Sequence, residues 1–207
     1  MNMSKKIEEI NIKTLTVGAF KTNCYIITVG DVSYIIDPGS CCEEIIGKIR
    51  KLKVKYILLT HSHTDHVSCA KQISDRFNCP IFLDEKDKKF IKLHLICLKP
   101  FYPEIPAKDF KNSISKFSDN NIELIYIPGH TTGGTCFYFK KYNIIFSGDT
   151  IFYKSIGRTD FPNSNQEQLI QAIKNNILTL PDHTIIYPGH GKSTTVGYEK
   201  KNNPFFR

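Results

Sequence analysis

Six residues, 61 to 66, constrain this chain more than any other part of its sequence. They read His-Ser-His-Thr-Asp-His and follow an apolar run at 54–60 that has the length and composition of a buried strand. In a loop that leaves a strand, all four side chains of His61, His63, Asp65 and His66 can converge, which alternate residues of a helix cannot do. Four ligand-type side chains in such a short segment predict a metal site rather than a group of solvated histidines.

Three further candidate ligands occur in the second half of the chain. His130 and His190 each follow a Pro-Gly pair, and Asp149 follows Ser-Gly, each time directly after an apolar run. Glycine lets the backbone approach closely where a bulkier residue would clash. The repeated placement predicts that these three side chains join the first four in one site.

Seven imidazole and carboxylate side chains are too many for one four-coordinate ion. They suit two divalent ions that share one carboxylate, an arrangement that clamps and polarises a hydrolytic substrate. Zinc is the first expectation for these ligands, and iron or manganese would also fit them.

The apolar runs predict an α/β fold. Strands are expected at 13–17, 24–29, 32–36, 54–60, 80–83, 122–127, 135–139, 143–146 and 183–187, and helices at 43–52, 67–77, 84–92 and 166–178. Two runs of strands, each followed by helices, indicate two sheets face to face with helices outside. Residues 93–113 carry three prolines and are predicted to form a long irregular loop.

Length and composition limit the class of protein. The chain of 207 residues is expected to form a single domain, 1–207, and its N-terminus lacks the apolar segment of a signal peptide. Seven cysteines without a C-x-x-C pair predict reduced thiols and a cytoplasmic protein. The net charge of +8 comes from scattered lysines, so neither a nucleic acid nor a membrane is expected as a partner.

The ligand spacing resembles that of the metallo-β-lactamase superfamily, whose HxHxDH…H…D…H pattern is matched at every position. The resemblance implies an αββα sandwich of two mixed sheets with the site at one edge. It also implies a first metal bound by His61, His63 and His130, a second bound by Asp65, His66 and His190, and Asp149 bridging the two. Asp65 would in addition orient the attacking hydroxide.

Further motifs are similar to those of short glyoxalase II-like (hydroxyacylglutathione hydrolase-like) enzymes. They are Thr22-Asn23-Cys24-Tyr25, Asp37-Pro38-Gly39, Gly157-Arg158-Thr159-Asp160-Phe161-Pro162, Pro188-Gly189-His190-Gly191 and a tail containing Asn203-Pro204-Phe205. This resemblance implies a hydrolase of a small-molecule thioester such as S-D-lactoylglutathione, active as a monomer or homodimer. The helical domain that supplies part of the glutathione site in full-length glyoxalase II is not expected here. Relatives often carry a second histidine where this chain has Gly134, which affects packing rather than metal binding.

Arg158 has two interpretations. The matching position in glyoxalase II is a cation near the glutathione, which implies that Arg158 binds a substrate carboxylate. Alternatively, Arg158 and Asp160 form an ion pair that closes the loop. His94 and His183 are expected to be solvated or structural.

A second reaction class shares the fold and the Gly-Arg-Thr-Asp-Phe stretch. Persulfide dioxygenases hold one iron by two histidines and one aspartate, which would map onto His61, His63 or His130, and Asp149. In those relatives Asp-Tyr usually follows the last histidine, whereas Gly191-Lys192 follows it here, and this difference favours the hydrolase. Relatives that process nucleic acids carry added domains, for which this chain has no room.

Overall fold

The fold is known from a computed structural model that describes residues 8–89, 113–114 and 117–207, with only the backbone described at 113–114. Thirteen strands are found there: β1 Ile10–Val17, β2 Thr22–Val29, β3 Val32–Ile36, β4 Lys53–Leu58, β5 Ile81–Phe82, β6 Ser113–Ile114, β7 Glu123–Tyr126, β8 Thr135–Phe139, β9 Ile144–Gly148, β10 Ile151–Phe152, β11 Ser155–Ile156, β12 Ile185–Pro188 and β13 Thr194–Thr195. The α-helices of the same part of the chain are α1 Cys42–Ile49, α2 Thr64–Val67, α3 Ala70–Phe77, α4 Glu85–Lys88, α5 Gln166–Asn176 and α6 Val196–Asn202. Two short 3₁₀ turns, Lys140–Tyr142 and Pro204–Phe206, complete the description.

Two mixed sheets form the centre of the molecule. The first has the order β1-β2-β3-β4-β5-β6, antiparallel from β1 to β3 and parallel from β3 onward. The second has the order β13-β12-β9-β8-β7, in which only β12 and β9 run parallel. Strands β8 and β9 are buried at every residue, which is typical of interior strands covered on both faces.

Three apolar layers hold the two sheets and the helices together. Aromatic side chains from both sheets fill the middle layer, among them Tyr34, Phe82, Phe137, Phe139 and Phe146. A second cluster packs α1 and α3 on the outer face of the first sheet. A third packs α5 and the C-terminal turn on the outer face of the second. The expected αββα sandwich is therefore confirmed.

The helix predicted at 67–77 is wrong in one respect. The structure divides this segment into α2 and α3, so Asp65 and His66 lie in a short helix rather than in a loop. The break is caused by a contact with another loop, because the Cys69 amide donates to the Pro38 carbonyl at 2.9 Å instead of continuing the helix. The predicted helix at 84–92 is observed as α4 over Glu85–Lys88, and its last three residues, 90–92, lie outside the described part.

The prediction of reduced thiols is wrong for one pair of cysteines. Cys42 and Cys69 form a disulfide that joins the start of α1 to the segment before α3, across a sequence separation of 27. Cys24, Cys79 and Cys136 are buried free thiols, and Cys41 is exposed. Cysteine spacing did not reveal this pair, because the packing of α1 on α3 brings its members together.

Two predictions lie outside the described residues, His94 and the irregular loop at 93–113, of which only Ser113 is described, as the first residue of β6. In the described part of the chain, no helix combines the length and apolar character needed to cross a membrane.

Candidate metal centre

The candidate ligands meet at one edge of the sandwich, where strands of both sheets end. His61, His63, Asp65 and His66 follow β4 of the first sheet, whereas His130, Asp149 and His190 follow β7, β9 and β12 of the second. Backbone hydrogen bonds join the two sets across the sheets. The Thr135 amide donates to the Thr60 carbonyl at 2.9 Å, and the Asn23 amide donates to the Gly189 carbonyl at 2.7 Å.

His61, His63 and His130 form a first cluster, called here the three-histidine group. One ligand atom from each lies within 4.8 Å of the others. His63 Nδ1 and His130 Nε2 are 2.9 Å apart, and His61 Nε2 is buried without a hydrogen-bond partner. Burial and the neighbouring imidazoles hold the pKa of His61 well below its ordinary value, so this ring is neutral and can donate a lone pair.

Asp65, His66 and His190 form a second cluster, called here the Asp-His-His group, within the same distance limit of 4.8 Å. Asp65 Oδ2 lies 3.4 Å from His66 Nε2 and 3.3 Å from His190 Nε2. Burial lowers the pKa of His190, but the Asp149 and Asp65 carboxylates outweigh this effect and raise it to about 9. Burial also lowers the pKa of His66, but the charges of Asp65 and Asp149 outweigh it and raise this pKa above its ordinary value.

Asp149 lies between the two groups. Its Oδ1 is 3.4 Å from His66 Nε2, and its Oδ2 is 3.5 Å from His190 Nε2 and 3.7 Å from His130 Nε2. Burial would raise the pKa of Asp149, but His66 and His190 lower it to about 2. The carboxylate is therefore ionised and faces members of both groups.

In three of these imidazoles the outer nitrogen, Nδ1, donates to a carbonyl or carboxylate oxygen of the protein. His130 Nδ1 donates to the Arg158 carbonyl at 2.7 Å, and His190 Nδ1 donates to the Phe20 carbonyl at 3.0 Å. His66 Nδ1 donates to the Asp37 carboxylate at 2.9 Å. Such partners fix the ring orientation and direct the other nitrogen, Nε2, into the site.

Asp37 is a functional residue that the sequence did not identify as such. Its carboxylate also accepts from the Thr60 amide at 2.8 Å and the Thr60 hydroxyl at 2.6 Å. The Thr60 oxygen lies 3.0 Å from His61 Nδ1, so Asp37 supports both His61 and His66. The available signal was an aspartate before Pro-Gly at the end of a buried strand. Asp37, His61 and His66 also lie close enough together to form a third candidate ligand cluster. The hydrogen bonds of Asp37 instead assign it to the support of these two histidines.

Gly189 permits the closest approach in the site. A Cβ at this position would lie 2.2 Å from Asp149 Oδ1 and 2.7 Å from His66 Cε1. Any side chain here would displace the two residues that face each other at the centre of the site. The Pro-Gly pair before His190 therefore has a steric role, as its placement in the sequence predicted.

Arg158 lies beside the site but already has a partner. Its guanidinium binds Asp160 in a bidentate manner, at 3.0 and 2.7 Å, and its side chain is 70% exposed. It also stacks on Phe161, with 4.7 Å between the guanidinium carbon and the ring centroid. Phe161 in turn contacts His63 and His130, with ring centroids 5.0 and 5.9 Å apart. The loop ion pair thus exists, and the guanidinium stacks on a ring that itself contacts the three-histidine group.

The site fits divalent metal ions. His61 Nε2, His66 Nε2 and Asp149 Oδ1 are buried without hydrogen-bond partners, an unfavourable state that a bound cation would relieve. The two clusters coincide with the two ligand sets that the sequence resemblance implied. His183, by contrast, is exposed and belongs to neither cluster.

Comparisons with known proteins agree with this geometry. The model of the metallo-beta-lactamase superfamily matches residues 17–190. The hydroxyacylglutathione hydrolase GloC of Haemophilus influenzae is 36% identical over 208 residues, which cover 95% of this chain and 98% of the relative.

Two solved structures have the same fold over nearly their whole length. The BLEG-1 B3 metallo-beta-lactamase is 31% identical with a TM-score of 0.84, and the match covers 95% of this chain and 99% of that one. TTHA1623 in a di-iron-bound form is 29% identical with a TM-score of 0.85, and the match covers 93% and 99%. The fold and its histidine and aspartate clusters imply that this chain binds divalent metal.

Proposed function

Because this chain belongs to the metallo-β-lactamase superfamily, we propose that it is a binuclear metal-dependent hydrolase of thioesters such as S-D-lactoylglutathione. In this proposal the three-histidine group holds one ion, the Asp-His-His group holds the second, and Asp149 bridges them. Zinc suits these ligands, and iron or manganese are the alternatives.

The position of Asp149 carries the proposal. Its two oxygens lie within 3.7 Å of imidazole nitrogens from both groups, so one carboxylate is in reach of both ions. A single-ion enzyme would need no Asp-His-His group beside the first cluster. The seven side chains together therefore favour a two-metal hydrolase.

Two ions in such a site supply a nucleophilic hydroxide at neutral pH and polarise the substrate carbonyl. The protein positions the groups around them. Asp65 has its Oδ2 fixed by the Thr22 hydroxyl at 2.8 Å, and its pKa is lowered by His66 and His190 in spite of burial. It is thus an ionised, oriented acceptor that would align the attacking hydroxide. A thiolate leaves readily, so the reaction needs no strong general acid.

We assign Arg158 to the charged end of the substrate. Asp160 accepts from Nε and one terminal nitrogen, which leaves three of the five guanidinium N–H donors for a carboxylate. The guanidinium stacks on Phe161, and this ring contacts His63 of the three-histidine group, so the cation is separated from the group by one aromatic side chain. A glutathione thioester offers such carboxylates, and the similarity to GloC supports this class of carrier.

The test is a substrate panel combined with metal analysis. The purified protein is depleted of metal, reloaded with zinc, manganese or iron, and assayed with S-D-lactoylglutathione, an acyl-coenzyme A, glutathione persulfide and a β-lactam. We expect two ions per chain and hydrolysis of the thioesters. Asp149→Asn should lose the activity, whereas Asp119→Asn should keep it. The Asp119 carboxylate is also buried, but among the described residues it accepts hydrogen bonds from Lys55, Tyr34 and the Asn121 amide, away from both ligand groups.

Three results would oppose the proposal. One iron per chain with oxygen consumption on the persulfide would favour the dioxygenase. Turnover of the β-lactam alone would favour a β-lactamase, the activity given in the name of BLEG-1. Full thioester hydrolysis with one bound ion would exclude the binuclear site.

A further inference from the structure

Asp87 is a buried carboxylate outside both ligand groups. It lies in α4 and is 0% exposed. Its Oδ2 accepts a hydrogen bond from the Ser62 amide at 2.9 Å, and its Oδ1 accepts one from the Gly133 amide at 2.6 Å. The side chain therefore binds two backbone segments that are far apart in the sequence.

Both segments carry the three-histidine group. Ser62 lies between His61 and His63, and Gly133 follows His130 by three residues. The first segment leaves a strand of the first sheet, and the second connects two strands of the other sheet. One carboxylate thus holds together the two loops that supply all members of this group.

A carboxylate is the group that this position requires. Both partners are N–H donors, so each needs an acceptor oxygen, and an asparagine would offer only one together with an unwanted donor. Burial raises the pKa of Asp87, and the hydrogen bonds from the protein oppose this shift. In the described part of the chain no basic side chain forms an ion pair with Asp87. A buried charge without a cation is costly, and its hydrogen bonds are what compensate for it.

The fit between Asp87 and the second loop is close. A Cβ at Gly133 would lie 2.8 Å from Asp87 Oδ1 and 2.6 Å from Asp84 Oδ1. The loop after His130 therefore packs directly on the start of α4. A displacement of the Asp87 carboxylate would be transmitted to the backbone on which His130 is mounted.

We propose that Asp87 is the positioning residue of the three-histidine group, setting the distance between His130 and the His61–His63 pair by binding both of their loops. The inference rests on the ligand sets of the proposed function. Asp37 supports His66 directly and His61 through Thr60, and so contacts both groups, whereas Asp87 binds the loops of the three-histidine group and bonds to neither Asp65, His66 nor His190.

The experiment measures stepwise metal affinity in the variant Asp87→Asn. Metal-free protein is titrated with zinc against a chromophoric chelator, so that two binding steps are resolved. His63→Ala and His190→Ala each remove a ligand of one group and identify which step belongs to which group. We expect Asp87→Asn to weaken the step of the three-histidine group by about 10- to 100-fold, the usual effect of losing an outer partner. The other step should remain unchanged.

Two further variants keep the test decisive. Asp119→Asn removes a buried carboxylate that is hydrogen-bonded to Tyr34 and Lys55, and it should lower the melting temperature without changing either zinc affinity. Gly133→Ala pushes the loop away from an intact Asp87 and should reproduce the selective loss even if Asp87→Asn fails to fold. A second substitution elsewhere in α4, such as Glu85→Gln, should not restore the zinc affinity that Gly133→Ala loses.

The inference is overturned if Asp87→Asn or Gly133→Ala weakens both steps equally, or lowers only the melting temperature. It does not depend on the substrate. A protein that binds two ions but hydrolyses no thioester would refute the proposed function and leave the zinc titration as a valid test of Asp87.

Discussion

The substitution Gly189→Ala tests how tightly the centre of the site is built. The new methyl group would lie 2.2 Å from Asp149 Oδ1 and 2.7 Å from His66 Cε1. The backbone itself tolerates alanine, because Gly189 is absent from the glycines with positive φ. The third neighbour is the Gly148 carbonyl carbon, which at 3.0 Å is a milder contact, so the effect of the substitution comes mainly from the two side chains.

The size of the effect follows from the required displacement. Real Cβ atoms essentially never approach another atom closer than 3.0 Å, so Asp149 Oδ1 must move away by at least about 0.8 Å. Active-site groups need to be held within about 0.5 Å of their productive positions. A misplacement of about 1 Å can reduce the rate about 100-fold. We expect a loss of this order in kcat, together with weaker binding of both ions.

The assay compares kcat, KM and bound metal in three glycine variants. Gly191→Ala lies in the same loop, where φ is +76° and an added Cβ would meet no atom within 4 Å, so it adds backbone strain of about 1 kcal/mol without a new contact. Gly47→Ala lies in the interior of α1 with open space around it and should stabilise the protein by about 1 kcal/mol. Wild-type kcat and two tightly bound ions in Gly189→Ala would refute the reasoning. An equal loss in Gly191→Ala would show that strain in the loop is responsible instead.

Four further outcomes are expected. Asp149→Ala should lower thioester hydrolysis by several orders of magnitude, with fewer than two ions retained in metal analysis, because one carboxylate serves both groups. Metal loading at pH 7 should release protons, since the raised pKa of His66 and the pKa of His190 near 9 keep these rings protonated in the metal-free protein. Calorimetry in buffers of different ionisation enthalpy would detect this release, and identical heats would contradict it. In the metal-free protein the same shifts stabilise the fold below about pH 6.5, and that stabilisation should be lost as the pH rises through 9, which melting temperatures can follow. Arg158→Ala should raise KM for carboxylate-bearing thioesters with little change in kcat, and Asp160→Asn, which frees the guanidinium, should lower it. If uncharged thioesters are affected equally, Arg158 is only a loop clamp.

The sequence was sufficient for the fold class and for the strands that precede the candidate ligands. Apolar runs identify buried strands, and ligand-type residues at the ends of several strands converge at one edge whatever the details of the loops. The αββα sandwich is confirmed for this reason. The grouping of ligands around Asp149 was implied by resemblance, and the structure brings the same side chains together.

The features that the sequence did not reveal depend on contacts between distant segments. Asp87 bonds to amides 25 and 46 residues away, and nothing in its local sequence distinguishes it from the other aspartates around α4. The break between α2 and α3 is caused by a carbonyl of another loop, that of Pro38. The disulfide of Cys42 has the same origin, because it depends on how two helices pack.

Each ligand group is divided between the two sheets in the same proportion. The segment after β4 supplies two members of each, whereas the second sheet supplies one member of each and the shared Asp149. Neither half of the chain can therefore offer a complete set of ligands alone. During synthesis the last ligand, His190, leaves the ribosome well after the first, so metal capture must be a late step that follows docking of the halves. Once captured, the ions would act as cross-links between the sheets, and unfolding of the loaded protein should be slow and limited by metal release.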